Sequence, residues 1–264
     1  MISMNDTAVP AETETGEYVI SETDSEEPVS MPEGLVHQVY KKPVIYVYSD
    51  SALMPEEKQL ISLAVSDTGK VFPMFDCLNL ADEEKTDVNQ QKADAFLIGS
   101  FNECGQADST VIFRKLREAS ASLPNTAAVV LMTGRDIYSS RLGIKYAFAV
   151  ASYKKHIVIH SVFRYRNLSS EEKLRCIRRT LRHELGHCFG MANDPNRENT
   201  KDVFGPHCTT KGCSMRQTET LDKLLRLSEE EEELGVLFCG ACLQDLRKYY
   251  NSVYLGDDRL RVHP

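Results

Sequence analysis

The sequence predicts a mixed α/β fold, and three observations carry that expectation. Short β-branched or apolar runs at 43–48, 71–78 and 127–132 are separated by stretches with helical patterning. Two further runs, 146–152 and 156–163, flank Tyr153-Lys154-Lys155 as antiparallel strands would. A proline-free stretch bounded by helix start and stop signals then covers residues 169–190.

Each element has a local reason. Pro43-Val44-Ile45-Tyr46-Val47-Tyr48 has the residue types that suit a strand, and residues 55–65 read as a helix with Pro55 in its first turn. Residues 71–78 are the next candidate strand. Residues 89–95 lead into the apolar Phe96-Leu97-Ile98-Gly99, residues 111–120 form a candidate helix, and residues 127–132 a buried strand. Within the following pair of strands, His160 reads as an ordinary strand histidine, with a place near a cleft as the other reading.

The long helix is marked by Ser169 and Glu172, which have capping-box spacing, and by Gly190, suited to the left-handed residue that ends a helix. On its wheel Leu174, Ile177, Leu181, Leu185 and Cys188 share one face. Arg175, Arg178, Arg179 and Arg182 share a second, read as solvated surface. Cys176, Thr180, His183 and His187 share a third, away from the core stripe. Further on, residues 229–233, all glutamate and preceded by Ser228, read as a solvated helix start, and residues 243–250 as a short closing helix.

Chemistry concentrates in His183-Glu184-Leu185-Gly186-His187. Positions four apart on a helix lie about 40° from each other around its axis, so two imidazoles can hold one metal ion while the intervening carboxylate reaches its water. A water acidified by zinc is a nucleophile at neutral pH, which makes a zinc hydrolase the leading reading.

The helix and the segment after it resemble the metzincin clan of zinc peptidases, whose pattern is HExxHxxG and then, after two more residues, a third histidine or an aspartate. Here that position is Asn193, a poor zinc ligand. His207-Cys208, then Cys213-Ser214-Met215 and Cys239-Gly240-Ala241-Cys242, resemble the block that in archaemetzincins comes after the glycine. The resemblance spans residues 183–242 provided that 191–206 is an inserted loop, which its turn-forming, polar content suits. It implies His207 as third ligand, Glu184 as general base and Met215 as an apolar floor beneath the histidines; Asp194, one place beyond the family's position, is the fallback ligand. It also implies a metzincin-like mixed sheet, a long active-site helix and a small zinc-stapled C-terminal subdomain. A site completed by Glu198 or Glu219 is a weaker alternative that the Cys-x-Met block argues against.

Cys208, Cys213, Cys239 and Cys242 form two close pairs on chain that can fold back, the arrangement of a closed tetrahedral thiolate zinc site. Because Cys208 comes directly after His207, a structural zinc there would steady the backbone that presents a catalytic ligand. A pair of disulfides is the rival reading, disfavoured because residues 1–15 are polar and carry no secretory signal. Cys77, Cys104, Cys176 and Cys188 have no ligand spacing and read as packing residues.

The 264 residues carry a net charge of −8, but residues 1–34 hold nine acidic residues and neither Lys nor Arg, so the rest sums to +1. Bulk charge gives no argument for nucleic acid, and the acidic segment 1–34 reads as a disordered tail ahead of one domain at 35–264. No apolar run is long enough to span a bilayer. The expectation is a cytoplasmic, monomeric zinc-dependent metallopeptidase with two zinc ions, acting on a peptide or protein substrate. The alternative is a non-catalytic zinc-binding interaction module with a degenerate metzincin site.

Overall fold

In the structure, a computed structural model, residues 42–82, 86–202 and 205–255 are described. The acidic tail expected over residues 1–34 lies outside them. The central sheet is mixed, with strand order β2-β1-β4-β8-β7. Strands β1 (Val44–Ser49), β2 (Asp76–Asn79), β4 (Thr126–Thr133) and β8 (Ile157–Ser161) run parallel, and β7 (Ala149–Ser152) closes one edge antiparallel to β8. The inner strands β1, β4 and β8 are buried almost throughout because helices cover both faces, while the edge strands β2 and β7 are half-buried. Ile45, Val47, Val130 and Val158 share a core with Ile61 and Val65 of α1 (Pro55–Val71) and with Ile177, Leu181 and Leu185 of α4 (Ser170–Cys188). Tyr46, Tyr48, Val129, Leu131 and Ile159 share the other core with Phe96 of α2 (Thr86–Leu97) and with Ile112 and Leu116 of α3 (Ser109–Ser120).

Several expected boundaries shift. The helix opened by Pro55 continues to Val71, so the expected strand at 71–78 begins only at Asp76. Pro73 explains the stop, since it disfavours helical backbone at Phe72, which has φ −115° and ψ 65°. The expected strand 146–152 is two strands. β6 (Ile144–Ala147) joins β3 (Ala107–Asp108) and β5 (Ile137–Ser139) in a small separate sheet, while β7 joins the central one. Phe148 separates them, its ring stacked on Tyr165 at 5.7 Å.

Helix α4 begins as predicted. The Glu172 backbone N–H donates to Ser169 Oγ and the Glu172 carboxylate accepts from the Ser169 N–H. It ends at Gly190, whose φ of +80° lets the Met191 N–H return to the Gly186 carbonyl at 2.9 Å. The arginine face, expected to be solvated, is in large part buried: Arg179 is 1 % and Arg182 8 % exposed. Both pair with Glu231, itself 2 % exposed, and Arg182 Nη2 lies 2.8 Å from its carboxylate. The reason is that the acidic run does not start a helix. It forms the second half of α5 (Leu221–Leu234), capped at Thr220, so Glu231 faces α4 and only part of the run meets solvent.

The segment 191–206 departs from a plain loop. Met191 and Ala192 are fully buried, and β9 (Thr200–Asp202) pairs antiparallel with β10 (Pro206–Cys208), placing Lys201 opposite His207 and Thr200 opposite Cys208. The C-terminal helix α6 (Gly240–Tyr254) is longer than expected and packs Cys242 and Leu246 into the core that holds α4. No helix among the described residues is long and apolar enough to cross a membrane.

Candidate metal centre

Two ligand clusters meet at the end of α4. In the first, α4 supplies His183 and His187 and the β9–β10 ribbon supplies His207. The ring centroids stand 4.8 Å (His183–His187), 5.1 Å (His183–His207) and 4.8 Å (His187–His207) apart, and one ring nitrogen of each lies within 4.8 Å of the others. Every Nδ1 faces an oxygen that only accepts: the Ser214 carbonyl at 2.8 Å, Asn193 Oδ1 at 3.1 Å and the Gly205 carbonyl at 2.7 Å. Each imidazole therefore carries its proton on Nδ1 and leaves Nε2 with a free lone pair, the state a metal requires. Burial holds His183 well below its ordinary pKa, takes His187 down to about 4 and lowers His207, so all three stay neutral. The donor set fits zinc.

Asn193 occupies the position where the strict motif has its third ligand, and its role here is different. Its Oδ1 accepts from His187 and its Nδ2 donates to the His187 carbonyl at 2.9 Å, so it orients the His187 ring. Asp194 is not in the cluster; its carboxylate accepts from the Asn196 N–H. Glu219 pairs with Lys223, and neither Glu198 nor Glu219 joins a ligand group among the described residues.

Glu184 lies beside His183 in a cleft of about 320 Å³, walled by the β6 segment on one side and by residues 217–219 on the other. Burial pushes its carboxyl up to about 8. Met215 packs directly against Gly186: a Cβ added there would stand 2.3 Å from its Sδ, so only glycine admits that approach. The turn bearing Met215 is tied back by the Cys208 N–H to the Met215 carbonyl at 3.0 Å and by the Ser214 N–H to the Leu237 carbonyl at 2.8 Å. His160 is fully buried, 3.4 Å from the Tyr165 hydroxyl, as suits a strand histidine.

In the second cluster the sulfurs of Cys208, Cys213, Cys239 and Cys242 all lie within 4.8 Å of one another, with Cys208–Cys239 and Cys213–Cys242 each at 3.7 Å. Four sulfurs about 2.3 Å from a common centre stand about 3.8 Å apart, so this spacing fits a tetrahedral zinc. It is too long for disulfides, and all eight cysteines are free. Hydrogen bonds shared with Cys213 and Cys242 pull the Cys208 thiol well below its ordinary pKa and push those two thiols up.

Two residues of the 191–206 segment, which sequence reasoning passed over as turn formers, donate toward these sulfurs. Arg197 Nη2 lies 3.3 Å from Cys242 Sγ and is anchored by Asp245, while Asn199 Nδ2 lies 3.8 Å from Cys208 Sγ and 3.9 Å from Cys239 Sγ. The Thr210 N–H adds a donor to Cys208 at 3.4 Å, and the Cys239 N–H one to Cys213 at 3.5 Å.

No protein-family model matches the sequence, and no curated protein matches it. Solved structures do match. An archaemetzincin from Methanopyrus kandleri covers 84% of this chain and 99% of its own length at 17% identity, with a TM-score of 0.53. A zinc-dependent peptidase from Methanocorpusculum labreanum covers 76% of this chain and 99% of its own at 21% identity, with a TM-score of 0.54. At these identities the likeness is one of fold.

Proposed function

We propose that this chain, whose fold is that of the archaemetzincins, is a zinc-dependent peptidase in which His183, His187 and His207 hold one zinc ion and Glu184 handles the proton. The four cysteines would hold a second, structural zinc. The observation that carries the reading is the convergence of three neutral imidazoles, each with Nδ1 committed to an acceptor, beside a carboxylate in a cleft. Zinc on those imidazoles would supply a Lewis-acidic charge and an acidified water.

The chain's own residues do the rest. The Glu184 carboxylate would accept a proton from the attacking water and return it to the departing amine. Asn193, the Ser214 carbonyl and the Gly205 carbonyl keep the imidazoles in one orientation and one tautomer. The cleft wall at residues 144–148 lies across from Glu184, where an extended peptide could be laid against β6.

The test is turnover of a mixed peptide library by the zinc-loaded protein. Cleavage should be abolished by a chelator and restored by zinc. Glu184→Gln should retain its zinc and lose about 10²–10⁴-fold in rate. A Glu184→Gln protein that cleaves as fast as the parent contradicts the proposal.

A further inference from the structure

The cleft at His183 and Glu184 has two neighbouring cavities on the side of Phe148. A second cavity, about 290 Å³, shares Tyr146 and Phe148 with it and is bounded further by Phe163 and Arg164. A third, about 580 Å³, adjoins the second across Phe163 and is lined by Ala52, Gly134, Arg135 and Arg166. The three run along the carboxyl edge of the central sheet. The first opens at the start of β7, the second just past β8, and the third at the ends of β4 and β1. Between β1 and β4 the strand order reverses, since β2 lies on the other side of β1. In open α/β sheets the crevice at that reversal is where ligands are held.

Charge along this path is uneven. Arg166 is committed to the buried carboxylate of Glu57 at 3.0 Å, Asp136 is gripped by Arg164 at 2.8 Å, and Glu219 pairs with Lys223. Among the described residues, Lys145 in the first cleft and Arg135 in the third cavity have no carboxylate partner. Arg135 lies with its guanidinium 5.7 Å from the Phe101 ring centroid.

The backbone presenting Arg135 is fixed. The buried Asp50 carboxylate accepts from the Thr133 hydroxyl and from the Gly134 and Ala52 N–H groups, which ties the loop after β1 to the loop after β4. Ser161 Oγ donates to the Arg135 carbonyl at 2.6 Å. A Cβ at Gly134 would stand 2.2 Å from the Ala52 carbonyl oxygen, so the two loops pack as closely as backbone allows.

We infer that the substrate is an extended polypeptide with an acidic side chain remote from the bond to be cleaved, and that Arg135 takes this carboxylate at the far end of a cleft crossing the carboxyl edge of the sheet. The inference rests on the peptidase reading and names its substrate class. Tyr146, whose ring carries the Arg164 guanidinium at 3.9 Å, forms the ridge over which the chain passes from the first cavity to the second.

The experiment uses the full, zinc-loaded protein and two decapeptide libraries amidated at the C terminus, so that side chains supply the only carboxylates. A single Glu in one library, and a single Gln in the other, steps through every position of an otherwise neutral random sequence, and cleavage is read by mass spectrometry. At one position Glu should be cleaved about threefold faster than Gln, the size of an exposed arginine–carboxylate pair in water. The difference should shrink with added salt. It should vanish in Arg135→Gln and persist in Arg114→Gln, an exposed arginine on α3. Cleavage without a preference for Glu, or a preference that survives Arg135→Gln, overturns the inference and leaves the peptidase reading standing. No cleavage of either library overturns both.

Discussion

His207 and Cys208 are consecutive in the chain and stand in different ligand clusters. The His207 ring lies 4.8 Å from that of His187, and Cys208 Sγ lies 3.7 Å from Cys239 Sγ. One peptide unit therefore joins the two clusters, held in register by β9 and by the Cys208 N–H to the Met215 carbonyl.

That junction makes the histidine cluster depend on the thiolate cluster. Cys242→Ser, a substitution on α6 that touches no histidine, should lower the zinc content measured by elemental analysis from two per chain to below one. His187→Ala should remove only one. Equal losses in the two variants would mean that the clusters are independent.

Arg197 and Asn199 should control how tightly the four cysteines hold the zinc ion proposed for them. Partners that hydrogen-bond a ligand are worth about 10–100-fold in metal affinity. Arg197→Ala should release the thiolate zinc about tenfold more readily in competition with a chromophoric chelator, while the histidine-bound ion is lost at the parent's rate.

Gly186→Ala forces a methyl group into Met215 Sδ. Overpacking of this kind costs about 1–3 kcal/mol, and urea unfolding should show it. Combining it with Met215→Ala should recover part of the loss, a coupling absent if the two side chains do not meet. Met215→Leu alone should perturb activity far less than Glu184→Gln.

His160 gives a pH dependence with a definite sign. Burial depresses its pKa from 6.5 to about 3, so below pH 6.5 the unfolded chain binds a proton that the folded one refuses. Stability then falls by about 1.4 kcal/mol per pH unit from 6.5 down to about 3, with no contribution above 6.5. His160→Gln should lose about 1 kcal/mol less than the parent between pH 6.5 and 5.5 in urea titrations, the other histidines acting alike in both proteins. Identical slopes would count against the buried neutral imidazole.

The features legible in the sequence are those that depend on spacing along one element. The capping box, the His183–His187 pair and the glycine stop come from the helical repeat alone, and the paired cysteines from ligand geometry. The features that could not be read depend on partners far along the chain. Arg179 and Arg182 look like surface residues until Glu231 is brought against them by α5. The run 146–152 has strand character throughout, yet Phe148 separates it into strands of two sheets. Asn193, Arg197 and Asn199 lie in a segment that reads as a turn-forming, polar insertion, and only the fold of the 191–206 segment brings them to His187 and the sulfurs.

The decisive measurement is anomalous diffraction across the zinc absorption edge, on crystals grown without chelator. Two peaks are expected, one between His183, His187 and His207 and one between Cys208, Cys213, Cys239 and Cys242. A single peak at the cysteines, with the histidines metal-free in the presence of added zinc, would contradict the peptidase and favour a zinc-stapled interaction module.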